Sequence, residues 1–422
     1  MKLSISDNST NYVATVVELT AFREIPEKDR IQITVLAGNE IIISKEAKVG
    51  QRGLYFVSGT QLSAEYCYNN NLYDDKTQNK DVTQKGYLSF KNRRVRAMRL
   101  AGVISDGLFM PLSSLNYLGI NELPLGSEFT HIDGNLICEK YFVPVRNSNP
   151  GGTAPKPRAF KLQDIMIPGQ LRFHHETEHL SKNLGRIQSG MEIVISAKLH
   201  GSSCILSKVK TLRKLNWREK LAKMLGVKVV ETEYSGIYSS GKPKSSLVKG
   251  IDNKWINEGQ SFYSQDIWKT AYEDYKYALE PGITIYGELL SESIQKPYDY
   301  TKLRKEGQHY SLVVFRITRT NDEGHADEFS WNQVEVYCEK YGLQPVPVLV
   351  KTKITTEVDE TFLGYLAEEY LEKKCPYSVN DVWAEGICVR TEKPYGVYKM
   401  KSKNFLLGEE KALDEGQSNE DI

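Results

Sequence analysis

Paired cysteines, long apolar runs and any marked excess of charge are all missing from this chain of 422 residues. Cys67, Cys138, Cys204, Cys338, Cys375 and Cys388 are scattered and form no CxxC pair. That excludes a zinc ribbon or a disulfide framework and fits a reduced, intracellular setting. A formal net charge of +1 leaves no global basic surface, so a nucleic-acid partner would need local clustering. The opening MKLSISDNSTNYV lacks the apolar centre of a signal peptide, and no run approaches the ~18 apolar residues of a membrane span. A soluble, cytosolic protein without membrane association is expected.

What is present is an ordinary globular composition, 40% apolar and 26% charged, in a chain too long for one hydrophobic core. Residues 1–145 carry short β-branched and aromatic segments between turn residues: YVATVVEL, RIQITVLA, NEIIIS, GLYFVS and GYLSF. They predict a small barrel or sandwich, an OB-like β-barrel being one candidate. The basic run KNRRVRAMRLAG follows; in a strand, Arg94, Arg96 and Met98 would share one face. Such a run is either solvated charge or a phosphate-binding edge.

RNSNPGGTAPKPRAF, rich in Pro, Gly, Ser and Asn, reads as a linker over 146–160. Beyond it, helical and strand patterns mix, and α+β architecture is expected. The spacing predicts helices over 263–280 and 360–373, and strands at TIYGELL, YSLVVFRI, EGICVR and GVYKMKS. From Gly408 to Ile422 the chain reads as a polar, acidic tail. HETEH at 175–179 matches the zinc-protease pattern HExxH, but its surroundings are polar and no third ligand motif follows. Zinc hydrolysis is set aside.

VISAKLHGSSC, residues 194–204, poses the sharper question. A lysine at the end of an apolar strand is costly unless used. Downstream lie Glu288 in TIYGELL, Phe315 in LVVFRI and Glu385 in EGICVR, and then Lys399 and Lys401, which a strand turns to one face. Two same-face lysines suit an anionic phosphate. Nearby cations help a lysine nucleophile lose its proton, and they neutralise a phosphate under attack. The carboxylates suit Mg²⁺ or Mn²⁺, and the phenyl ring offers a stacking face for a base.

This set of motifs resembles the covalent nucleotidyltransferase superfamily of ligases and capping enzymes. Its first motif is lysine, any residue, then Asp, Asn or His, then Gly, and Lys198-Leu199-His200-Gly201 fits. The resemblance implies that Lys198 carries AMP from ATP. It assigns His200, Gly201, Glu288, Phe315, Glu385, Lys399 and Lys401 to the nucleotide site, with Glu288 and Glu385 toward a metal. It also implies an adenylyltransferase domain of ATP-grasp-like antiparallel sheet and helices over 161–407. GLYFVSGTQLS, NNLY and RRVRAMRLAGVISDGLFMPL are similar to the N-terminal OB domain of the family-five RNA ligases. Those enzymes seal nicks between a 3′-OH RNA end and a 5′-phosphate. RFHHET at 172–177 resembles their segment that brings an arginine, here Arg172, to the nucleotide.

Two departures stand out. IYSSGKPKSS has no arginine after its serines, leaving Lys242 or Lys244 as substitutes. KVKTLRKLNWREKLAKMLGVK, residues 208–228, is an extra segment with eight Lys or Arg and one Glu. Its leucines suggest a helix, either docked on the domain or tracking phosphates. The expectation is a monomeric ATP-dependent RNA ligase engaged in RNA repair. A capping guanylyltransferase and a non-catalytic RNA-binding protein with a decayed site are the alternatives.

Overall fold

The computed structural model describes residues 1–6, 9–142, 166–172, 177–240, 249–251, 255–257, 267–291 and 294–414. The linker reading at 146–160 and the lysines at 242 and 244 lie outside these residues.

In the N-terminal part, four of the five expected strands form, as Ala14–Glu18, Ile31–Leu36, Asn39–Ser44 and Arg52–Phe56. GYLSF does not; its ladder pairing is limited to an isolated bridge between Leu88 and Tyr73, beside backbone hydrogen bonds to Leu72 and Tyr73. A four-stranded antiparallel sheet is ordered Leu108–Pro111, Arg52–Phe56, Ala14–Glu18, Glu128–Phe129. A second, three-stranded sheet pairs Arg23–Glu24, Ile31–Leu36 and Asn39–Ser44. Among the described residues the strands stay in separate small sheets, and no closed barrel is traced. Alternation drives the packing: Leu54, Phe56, Val16 and Phe129 fill one core, while Tyr55, Ile41 and Leu19 fill another.

The basic run departs from its reading. Its strand begins only at Ala97, because Arg93 takes φ +48° and breaks the alternation. Arg94 is therefore not on an open edge but buried.

Two antiparallel-rich sheets make the larger part. Eight strands form one, centred on Ser202–Leu212, Ile283–Leu290 and Ser311–Thr320. The helices Ile267–Tyr275 and Trp331–Tyr341 bury Trp268, Tyr272 and Val334 in a core shared with Leu206, Leu289 and Val313 of these strands. Five strands form the other, ordered Glu178–His179, Tyr395–Lys401, Gly386–Glu392, Glu192–Lys198, Val348–Lys353. One of its faces, with Ile193, Ile195, Ile387, Val389 and Tyr398, packs on Leu363 and Leu366 of helix Glu360–Leu366. The opposite face carries Ser196, Lys198, Arg390, Lys399 and Lys401, with Val194 entering the main core.

The extra segment also differs from its reading as one helix over 208–228. Its first residues extend the strand Ser202–Leu212, which pairs with Thr232–Ser239. Only Trp217–Met224 is helical, started by a capping box between Asn216 and Glu219. This helix buries no residue; Trp217 is 70% exposed and Met224 76%. It projects from the hairpin tip and is not docked. The tail reading changes as well, because helix Lys403–Asp414 runs through Gly408 and buries Glu409 and Glu410. No described helix is long and apolar enough to cross a membrane.

Candidate active site

The five-stranded sheet aligns the cations by register. Lys198 pairs with Gly386, and Gly386 pairs with Lys401 on its other side. Ser196, Cys388 and Lys399 form the next row. Side chains opposite each other in a sheet point to the same face, so Lys198, Lys399 and Lys401 share one surface. Glycine is required between the two lysines: a Cβ on Gly386 would meet the Met400 carbonyl oxygen at 2.3 Å.

Glu385, just before Gly386, is buried and holds Lys198 Nζ at 2.5 Å through Oε1. Lys401 Nζ lies 3.8 Å from the same oxygen, and His200 Nδ1 is 3.9 Å from Oε2. Burial opposes the charge on this carboxyl, but Lys198, then Lys401 and His200, outweigh it and hold its pKa down to about 2. Glu385 Oε2 makes no hydrogen bond. Lys399 is largely buried and sits opposite His179 in the parallel pair at the sheet edge. Burial, reinforced by Lys399, keeps His179 neutral well below its ordinary range.

His200 is packed more than presented. Its ring meets Tyr298 and Phe405 edge-on at 5.1 Å each, and the backbone N–H of His200 donates to Tyr300 Oη at 3.0 Å. Gly201 N–H donates to Glu288 Oε1 at 3.1 Å, fastening the turn after Lys198 to the strand Ile283–Leu290. Two carboxylates thus flank the Lys198–Gly201 turn. Phe315 is half-buried against the main core, where the pairing shifts between Tyr286 and Gly287. Arg172 is exposed, and its carbonyl oxygen accepts from Tyr286 Oη at 2.7 Å.

Among the described residues, no group of three or more His, Cys, Asp or Glu could cage a metal. Glu288 and Glu385 still fit a small divalent ion that keeps most of its waters, for which one or two carboxylates plus phosphate oxygens suffice.

A family model for RNA ligases matches residues 191–405, just over half of the chain. The chain belongs to the RNA ligase family. The matched stretch of this ligase contains Lys198, His200, Gly201, Glu288, Phe315, Glu385, Lys399 and Lys401; Arg172 precedes it. Solved structures of a Naegleria gruberi RNA ligase are similar in fold. One variant, with ATP and Mn, is 17% identical at a TM-score of 0.58, covering 94% of this chain and 98% of that one. Another, an apo variant, reaches 0.60 at 17% identity with coverage of 96% and 99%. A third, with PPi, is 18% identical at 0.58, with coverage of 94% and 98%. No curated protein matches the sequence.

Sequence reasoning missed Tyr298, Tyr300, Phe405 and Glu409 around the ligase's lysines, and it named Arg94 without its buried partner Glu410. One signal was available. Ser402 precedes the C-terminal helix, and its hydroxyl accepts from Phe405 N–H at 3.2 Å, an N-cap after a strand. An N-cap there argues for an ordered helix, not a frayed end.

Proposed function

We propose that this RNA ligase is ATP-dependent and joins 3′-OH and 5′-phosphate ends, at nicks in duplexes, through a lysyl-AMP on Lys198. The observation that carries the reading is Lys198 held on buried Glu385 with Lys399 and Lys401 on the same sheet face. In the first step the Lys198 amine, its proton lost, attacks the α-phosphorus of ATP. An N–P bond forms, the bond to the β-phosphate oxygen breaks, and pyrophosphate leaves with the electron pair. Lys399 and Lys401 stabilise charge on the phosphate. Glu288 and Glu385 would hold Mg²⁺ or Mn²⁺, which supplies further neutralisation of phosphate charge. AMP then passes to an RNA 5′-phosphate, and attack by a 3′-OH joins the ends and releases AMP. His200 and Gly201 set the loop, Phe315 supports the adenine, and Arg172 reaches the nucleotide. The N-terminal part, 1–145, serves as an OB-like nucleic-acid-binding unit, and the protein acts as a monomer. An adenylylation unit over 161–407 performs the chemistry. The ATP and Mn of the Naegleria gruberi ligase structure are in keeping with these ligands.

The test is AMP transfer from labelled ATP with a divalent metal, followed by sealing of nicks with RNA or DNA at the 3′-OH side. Wild type takes the label and Lys198→Ala does not. Undiminished labelling of Lys198→Ala overturns the nucleophile. Labelling from GTP in preference to ATP indicates capping, and absence of labelling indicates a decayed site. Equal sealing of an all-DNA nick makes the enzyme a DNA ligase.

A further inference from the structure

Lys401 is approached from two sides. Beyond Glu385, its Nζ lies 3.6 Å from Glu409 Oε1 and 5.1 Å from the centre of the Phe405 ring. Phe405 and Glu409 are four residues apart on helix Lys403–Asp414, so they occupy one helical face. Glu409 is buried, and its Oε1 makes no hydrogen bond. A buried carboxylate without hydrogen bonds on that oxygen is costly. Its retention needs a reason, and the ammonium before it supplies one.

The next residue, Glu410, explains how the helix is held. Its Oε1 accepts from Arg94 Nη2 at 2.7 Å, with both side chains buried and 316 residues between them in sequence. Arg99 donates to Asn404 at 3.3 Å, and Lys403 lies 3.8 Å from Glu40. Three polar contacts therefore tie the helix to the N-terminal part. Its own start is anchored by Glu372, which accepts from Lys403 N–H and the Asn404 side chain, both at 2.7 Å. A cavity of about 100 Å³ between the parts is lined by Arg94, Lys399, Lys401 and Glu409 among others.

We propose that Glu409 is a positioning residue for Lys401, and that the N-terminal part holds Glu409 in place through the Arg94–Glu410 pair. The inference rests on the adenylylation reading above and extends it. The N-terminal part then serves the first chemical step as well as RNA binding. Glu409 and Phe405 confine the Lys401 side chain, so its charge meets the α-phosphate without reorganising. Loss of Arg94 releases the helix and lets Lys401 wander between Glu385 and solvent.

The experiment measures the rate of AMP transfer to the full-length protein across ATP concentrations. Glu409→Gln, Glu409→Asp, Arg94→Met and the exchange Arg94→Glu with Glu410→Arg are compared with wild type. Glu409→Gln should lower the maximal rate roughly fivefold or more while half-saturation by ATP stays within about twofold. Its thermal unfolding midpoint should not fall, since a buried charge has been removed. Glu409→Asp should fall between the two, Arg94→Met should slow the maximal rate, and the exchange should recover part of it. Wild-type kinetics in Glu409→Gln overturns the proposal. So does a change confined to half-saturation, which would make Glu409 an ATP contact. If Glu409→Gln does not fold, unchanged kinetics in Glu409→Asp overturns it equally. A wild-type protein that takes no AMP sinks the ligase chemistry itself, a result separable from all of these.

Discussion

Lys198 and Glu385 stand 187 residues apart in the chain, yet the ammonium and the buried carboxylate meet at 2.5 Å. The contact depends on the pairing of Lys198 with Gly386, which brings the end of one strand to the start of another. It makes the partner of Lys198 a buried group at the start of a strand, so the ion pair bears on stability as well as on charge.

Acid unfolding should report this pair. The folded carboxyl of Glu385 stays ionised down to about 2, whereas the ordinary value is 4.5. A depressed carboxyl adds stability that is complete above the unfolded value and is lost as pH falls from about 4.5 toward 2. The contribution is on the order of 3 kcal/mol. In Lys198→Met the largest attraction on Glu385 is gone, its folded pKa rises, and the acid transition should move to higher pH. Denaturant melts at pH 7, 5, 4 and 3 check this; an unmoved transition shows that the pair contributes nothing.

Lys399→Ala and Lys401→Ala should each slow AMP transfer at least tenfold, a loss of about 1.4 kcal/mol of transition-state stabilisation. Both lysines lie on the same sheet face as Lys198, and neither is needed to fill the apolar core beneath the sheet. Single-turnover labelling gives the rates. If both variants keep the wild-type rate, these cations do not touch the phosphate.

Gly201→Ala should fail for a steric reason. The added methyl carbon would meet the Leu289 carbonyl oxygen at 2.4 Å and Glu288 Cγ at 2.9 Å. The turn must move, and the Gly201 N–H to Glu288 bond lengthens or breaks. A loss of about 1–3 kcal/mol in stability is expected, with adenylylation falling alongside. Calorimetry and labelling together check it; wild-type values in both would show that the turn has room.

The exposed helix Trp217–Met224 should be dispensable for folding. Exchanging Trp217 or Met224 for Ser should change stability by less than about 0.5 kcal/mol. If the helix tracks phosphates, replacing both Arg218 and Lys220 by Ala should weaken binding to nicked RNA duplex. The slope of log affinity against log salt should then shrink by about one to two. An unchanged slope removes this helix from the RNA path.

Much of the candidate site was legible because it rests on local rules. Alternation in YKMKS puts Lys399 and Lys401 on one face whatever the sheet does next, and the register bears this out. Ile387 and Val389 of EGICVR and Ile195 of VISAK likewise mark one buried face and leave Lys198 to the other, which it shares with Val194. GYLSF failed on the same rule, since β-branched and aromatic content describes a fit to a sheet surface and does not supply a partner strand.

The sequence by itself determined the strands that carry Lys198, Glu288, Lys399 and Lys401 and the one that Glu385 immediately precedes, together with the side-chain types of those groups. Periodicity of two and side-chain type are properties of neighbours along the chain. Only the tertiary structure decided that Arg94 is buried against Glu410, that His200 is packed between Tyr298 and Phe405, and that an acidic C-terminal stretch is a helix facing Lys401. A charge in a linear chain is solvated by default. Whether it is instead desolvated and paired depends on which distant segment folding brings beside it, and no local pattern encodes that.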